Sequence, residues 1–417
     1  MTDATLYALA NITEKAFPFL ILPIISRALS AEDMGKLVLF QTITVLVMPL
    51  LNMSFDNAIF VKYFKSASKL DFVKYVSSCL ALLIPIFLIV IIGSITFAFT
   101  WVASADVRDY FILCVLMACG QSLCQIALSI LRAQKKVTVY VTLSMSMAFA
   151  KGGFGLSFLF CWGSNWSSVA TGQVLGIALV ALCGCLPLLS RLFSLGEVGL
   201  ETLKEAVKFG VPITIHRLGA WMLIPATQLL LGVMVSSRAV GLLAIASVFS
   251  SVLVVCNEAI TKAFVPYIYE ALSDEGRQKG EAYAELRLWS LRLYVTYALL
   301  AIALTLFGLI AVDTLFGSVY LESRQLIPAL MIAAFFNSAY KIHVDIISYT
   351  GRTHLIASST VVVGAVNVVL SCCLIWIFGL FGASAALMLS SGLLYATVYV
   401  LSNKMVPIFN LPKFLSR

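Results

Sequence analysis

Twelve stretches of this chain are apolar for about 20 residues or more, enough to cross the hydrocarbon core of a bilayer as a helix. They lie at about 5–26, 36–60, 76–102, 109–131, 138–162, 166–189, 209–234, 240–266, 289–312, 325–349, 355–377 and 381–402. No water reaches backbone groups inside lipid, so each spanning segment must close its own hydrogen bonds, and helices do so. The pattern therefore predicts an all-α polytopic membrane protein of twelve transmembrane helices. Composition agrees: 61% of the 417 residues are hydrophobic and 12% charged, against roughly 25% charged in a soluble domain. The polar stretches near 190–208 and 267–292 are too short to build a core of their own. The opening MTDATLYALANITEKAF has no Lys or Arg ahead of its apolar run, so it lacks the basic region of a cleaved signal peptide.

An even number of spans puts both termini on one side. Alternate loops and the C-terminus hold eighteen Lys and Arg, among them Lys62, Lys65, Arg132, Lys136, Arg191 and Arg352. The other loops hold five: Arg27, Lys36, Arg108, Arg238 and Arg324. The positive-inside rule then predicts that both termini are cytoplasmic. The net charge of +8 belongs to those loops rather than to a nucleic-acid interface, and no nucleic-acid partner is expected. All ten cysteines lie in apolar runs without metal or disulfide spacing and read as packing residues. His216, His343 and His354 sit on separate segments, and there is no GxxxxGK[ST] phosphate loop and no HExxH. The chain is expected to carry no metal, cofactor or ATPase of its own.

The chain echoes itself. The second run ends NAIFVKYFK (57–65) and the eighth KAFVPYIYE (262–270). Basic turns follow the fourth and tenth runs, LRAQKKVTVY (131–140) and YTGRTHLIAS (349–358). The first run carries Pro18 and Pro23, the seventh Pro212 and Pro225, and proline kinks a helix. The pattern predicts two pseudo-symmetric six-helix lobes, 1–189 and 209–402, joined by a cytoplasmic loop at 190–208 and followed by a tail at 403–417. Repeated lobes with a site at their interface are a common transporter plan, with the prolines as hinges.

Five cations fall inside the predicted spans: Lys15, Lys151, Arg217, Lys262 and Lys341. Each costs roughly 2.5–3.5 kcal/mol at mid-membrane on insertion scales, so each must pair, reach for the interface or face water. Glu258 with Lys262 and Lys341 with Asp345 are spaced i, i+4 and can meet on one helix face. Asp56 lies near the inner end of its span, a solvated or gating position. Glu14 adjoins Lys15, but neighbouring helical residues diverge by about 100° and need not pair. Lys151 has no acid in its span and lies too deep to snorkel easily, and Arg217 has only His216 as a titratable neighbour. These features predict a water-filled cavity lined by Lys15, Lys151, Arg217 and Lys341 that attracts an anion, with Arg217 suited to clamping phosphate. Cross-bundle pairing of these cations is the competing explanation. Gly152, Gly153 and Gly155 clear space beside Lys151, and Gly172 with Gly176 forms a GxxxG packing motif.

Three stretches carry a resemblance. NITEKAFPFLILPIISRALSAEDMGKLVLFQT (11–42) leads to FDNAIFVKYF (55–64), KFGVPITIHRLGAWMLIPATQLLLG (208–232) opens the second half, and SYTGRTHLI (348–356) forms a later turn. The chain resembles Wzx-type O-antigen flippases, the polysaccharide-transport branch of the superfamily that also holds MATE exporters and lipid II flippases. The resemblance implies a V-shaped, MATE-like two-lobed bundle in the bacterial inner membrane. It also implies transfer of an undecaprenyl-pyrophosphate-linked oligosaccharide between leaflets, with a polysaccharide polymerase and chain-length regulator as neighbours. Lys15, Lys151 and Arg217 match the cationic character of that family's cavity by type and helix. An H+ or Na+ gradient would supply energy, with Glu14, Asp56, Glu258, Lys262 and Asp345 as gating or coupling candidates.

Two other functions stay open at this point. A multidrug exporter of the same fold would bind cations and rely on deep acids, where this chain is cation-rich. A membrane polymerase or glycosyltransferase would act on the same lipid-linked sugar, and such enzymes usually show larger outer loops than these.

Overall fold

In the computed structural model, residues 17–66, 68–101, 104–273 and 279–408 are described. The first unit begins with α1 (Phe17–Ala28) and α2 (Ala31–Asn52). Ser30 caps α2 by accepting from the Asp33 amide at 3.0 Å, and Glu32 and Asp33 place negative charge at its positive end. Then follow α3 (Phe55–Lys65), α4 (Lys69–Trp101), α5 (Ala105–Ala133), α6 (Val137–Trp162), α7 (Trp166–Val180) and α8 (Leu186–Leu195). A π-helical turn at Ala181–Cys185 joins α7 to α8. The second unit takes up α9 (Leu200–Trp221) near its end, then α10 (Pro225–Met234), α11 (Ser237–Ser273) and α12 (Lys279–Phe316). A 3-10 segment, Ser318–Leu326, leads to α13 (Ile327–Tyr349), α14 (Thr353–Phe378) and α15 (Leu380–Met405).

Among the described residues, ten helical segments are long and apolar enough to span a bilayer, and α9 with α10 makes an eleventh, bent by 54° at its break. α1 is the described part of the first predicted run. Twelve spans are compatible with this set, and the all-α membrane fold expected from the apolar runs is present. Three predicted runs are interrupted: the second between α2 and α3, the sixth by the π turn, and the seventh between α9 and α10. Hydropathy registers only that a segment is oily and is blind to such breaks.

The chain divides into two compact units, residues 1–218 and 219–417. Within the first, the GxxxG of α7 packs on the backbone of α6. A Cβ on Gly172 would strike the Phe154 carbonyl, and one on Gly176 would strike the Ala150 carbonyl. Within the second, Gly382 of α15 lies likewise on the Leu374 carbonyl of α14. The turns match as well. Lys135 before α6 and Gly351 before α14 are both left-handed, with φ of 55° and 74°. Gly163 before α7 and Gly379 before α15 also have positive φ, 126° and 57°. The two halves thus repeat a helix–turn–helix–turn–helix unit.

Large apolar side chains cover the outside of α4, among them Leu88, Ile89, Phe99 and Trp101. In water such a surface would aggregate, and in lipid it is solvated. His343 is fully buried in the second unit, between the Tyr294 hydroxyl and Ser402 Oγ at 2.7 Å each, and serves as a core hydrogen-bonding group.

Candidate functional site

The break between α2 and α3 builds the site. Met53 and Ser54 both adopt left-handed backbone (φ 46° and 53°), a conformation that costs non-glycine residues about 1–3 kcal/mol each. Local bonds hold it: Asn52 Oδ1 accepts from the Ser54 amide at 2.9 Å, and Ser54 Oγ lies 3.0 Å from Thr214 Oγ1 on α9. α9 lies against the break along one face, at Gly210, Thr214 and Arg217, a spacing of four then three residues. Gly210 is required there, because a Cβ would drive into the Met53 carbonyl oxygen.

Restarting the helix at Phe55 places Asp56 in the first turn of α3, where the helix dipole favours a carboxylate. Asp56 is buried, and Arg217 grips it with both arms of its guanidinium: Nη2 to Oδ2 at 2.6 Å and Nη1 to Oδ1 at 3.2 Å. This is the bidentate arrangement that suits arginine to planar oxyanions. Arg217 keeps 28% of its side chain exposed against 9% for Asp56. Two of its five N–H donors serve Asp56, so the group has capacity for further anionic oxygens. The last turn of α3 is held to α9 separately, where Lys62 binds Glu205 at 3.0 Å.

The first 272 residues match the family model described as polysaccharide biosynthesis protein. The chain belongs to the polysaccharide biosynthesis protein family. A Haemophilus influenzae protein of the Lsg locus is 24% identical over 366 residues, 86% of this chain and 87% of its own. Among solved structures, the chain resembles the lipid II flippase MurJ in an inward closed conformation (TM-score 0.70, 12% identity, 95% of this chain and 87% of that one). It also resembles an inward-facing MATE family multidrug transporter (TM-score 0.68, 11% identity, 98% of both chains). At such identities the structures establish the fold. The family match and the fold together make the protein a polytopic membrane protein of polysaccharide biosynthesis with a MurJ- and MATE-like fold.

In this family member the predicted site residues fall in different places. Asp56 and Arg217, assigned to separate roles from the sequence, form one ion pair, so Arg217 is not the lone cation its own span suggested. Lys151 is half-buried on α6, beside the backbone that Gly176 packs against, and is engaged by a neighbouring group. Glu14 and Lys15 lie outside the described residues, and so does the side chain of Lys262. Its i, i+4 partner Glu258 is engaged. Lys341 and Asp345 are both half-buried on α13, and the buried Asp345 Oδ2 has no hydrogen-bond partner among the described residues. Pro18 and Pro23 lie in α1 and Pro212 inside α9. Pro225 opens α10 directly after the 54° bend. There Asn367 Nδ2 lies 2.9 Å from the Met222 carbonyl oxygen and 2.9 Å from Thr227 Oγ1, and also contacts the Leu223 carbonyl, so the carbonyls at the break are satisfied as lipid requires.

Sequence reasoning missed Asn52, Ser54, Gly210 and Thr214. The four–three spacing of Gly210, Thr214 and Arg217 was the available signal, a small-polar-cationic face on an otherwise apolar helix. It also missed Gln41 of α2, whose amide lies 3.5 Å from that of the buried Gln173 on α7.

Proposed function

We propose that the protein moves an undecaprenyl-pyrophosphate-linked repeat unit, of O-antigen or a related polysaccharide, from the cytoplasmic to the periplasmic leaflet of the bacterial inner membrane. The observation that carries this reading is the Arg217–Asp56 pair at a strained helix break. A guanidinium held by a carboxylate, and still partly exposed, is an anion site with a resident counter-ion. Pyrophosphate offers more charge and more acceptor oxygens than Asp56 and competes for the same donors. Exchange frees α9 from the α2–α3 break and lets the bundle change state.

In this scheme Lys15, Lys151 and Lys341 are further cations that the anionic cargo uses, the sugars cross in water, and the polyprenyl tail stays in lipid. Protonation of Asp56, or sodium binding to it, would release Arg217 in the same way, so Asp56 is the coupling carboxylate in this scheme. Both termini lie in the cytoplasm, and a polymerase and chain-length regulator receive the exported units.

The test is a strain lacking the protein, complemented with the Lys151→Gln/Arg217→Gln double variant. Surface polysaccharide should be lost and lipid-linked units should accumulate in the inner leaflet at normal protein level. Normal surface polysaccharide in that strain refutes the mechanism. Unchanged polysaccharide together with a new drug sensitivity in the deletion strain would assign the protein to multidrug export.

A further inference from the structure

A second charged feature lies in the first unit, apart from Asp56 and Arg217. A cavity of about 740 Å³ opens where the α3–α4 connection, the α5–α6 turn and the end of α8 meet. All three fall at the same end of the unit, because each follows an even number of predicted crossings. Lys69, Lys136 and Arg191 line it, and no Asp or Glu does. Among the described residues none of these three cations is paired with a carboxylate, although acids lie close by. Glu197, Glu201 and Glu205 are taken by Lys74, Lys204 and Lys62 at 3.9, 2.8 and 3.0 Å. Asp71, two residues along α4 from Lys69, does not line the cavity.

The rest of the wall is mixed: Ser66, Ser68 and Gln134 are polar, and Tyr63, Phe72 and Leu188 give it an apolar part. A soluble anion has no use for that apolar part, whereas a lipid phosphate carries its own hydrocarbon to set against it. The wall is also fixed in place. Ser77 Oγ donates to the Leu192 carbonyl at 3.0 Å, and Gly196 lies so close to α4 that a Cβ would strike Ser77. The first turns of α4 and α6 begin at the cavity, adding the positive ends of two helix dipoles. Basic pockets of this kind between helix ends at a membrane surface suit lipid head groups.

We infer that this cavity binds the phosphate head of a membrane lipid, with Lys69, Lys136 and Arg191 on the phosphate and the apolar part of the wall on the first carbons of the tail. The site lies outside the Arg217–Asp56 machinery, and its test reads lipid binding rather than export.

The experiment measures binding of dioctanoyl phosphatidylglycerol to the purified full chain in neutral detergent. Dioctanoyl phosphatidylcholine, undecaprenyl phosphate and inorganic phosphate are the parallel probes. Each Lys or Arg near an anionic lipid contributes about fivefold, so Lys69→Gln/Lys136→Gln/Arg191→Gln should weaken binding on the order of a hundredfold. Arg287→Gln/Arg352→Gln/Lys404→Gln removes the same charge from the second unit and should leave affinity within about threefold of wild type. Leu188→Trp fills the cavity while keeping every cation, and it too should abolish lipid binding, which covers a triple variant that fails to fold. Preference for phosphatidylglycerol assigns the site to bulk lipid, and preference for undecaprenyl phosphate assigns it to the carrier lipid. Either supports the inference. Equal binding of phosphatidylcholine, saturation by inorganic phosphate at the same concentration, or wild-type affinity in both cavity variants overturns it.

Discussion

The Asp56 carboxylate and the Arg217 guanidinium meet across 161 residues of sequence through two hydrogen bonds of 2.6 and 3.2 Å. The contact pins α9 to a break in the second apolar run, at the one place where two successive non-glycine residues are left-handed among the described residues. Asp56→Asn removes the charge that holds Arg217 and should lower stability by about 1.5–3 kcal/mol, the range for hydrogen bonds to charged groups. The exchanged pair Asp56→Arg/Arg217→Asp should recover part of that loss in a thermal melt while export stays impaired. A double variant no more stable than Asp56→Asn would show that the two side chains do not act as a pair.

Glycine substitutions should divide by what lies above them. Gly93 and Gly153 face open space, with no neighbouring element within 4 Å of where a Cβ would stand, so alanine there should be neutral or stabilise by up to about 1 kcal/mol. Gly172→Ala and Gly176→Ala must push α6 backbone aside and should cost about 1–3 kcal/mol each. Melting temperatures of the four single variants in one detergent check this, and equal shifts across the set would contradict the packing of α6 on α7.

Asn367→Ala takes the side-chain donor from the Met222 carbonyl at the α9–α10 break and leaves the Leu223 carbonyl only the longer bond from the Thr227 hydroxyl, at 3.4 Å. The expected cost is about 1–3 kcal/mol, with a larger loss for Asn367→Asp, whose carboxylate would face carbonyl oxygens. A melt unchanged by both substitutions would mean that the break satisfies itself in another way.

Labelling distinguishes the two faces of the membrane. Cysteine at Lys135, in the basic turn before α6, should react with an impermeant maleimide only after the inner face is opened. Cysteine at Ser164, in the turn before α7, should react in intact spheroplasts. The reverse pattern would invert the transport direction.

The apolar runs could be read without coordinates because lipid is an exacting solvent. A helix that spans it must be about 20 residues long and oily throughout, and α4, α11 and α14 satisfy that requirement in the sequence itself. The same solvent makes buried charge costly, so Lys151, Asp56, Arg217 and Lys341 stood out as residues needing an explanation. Matching basic turns at 131–140 and 349–358 pointed to a repeat, and each of the two turns carries a left-handed residue.

The partners of those charges were not legible. One sequence records neither the break after Asn52 nor the face on which α9 meets it, and spacing rules reach only four residues along one helix. Asp56 and Arg217 come together because Met53 and Ser54 turn the chain, Gly210 lets the backbones touch, and Ser54 and Thr214 fix the register. The sequence by itself determined that this is a helical membrane protein with charges it must accommodate. Only the tertiary structure decided which charge answers which, because pairing across 161 residues depends on where helices break and how closely they approach.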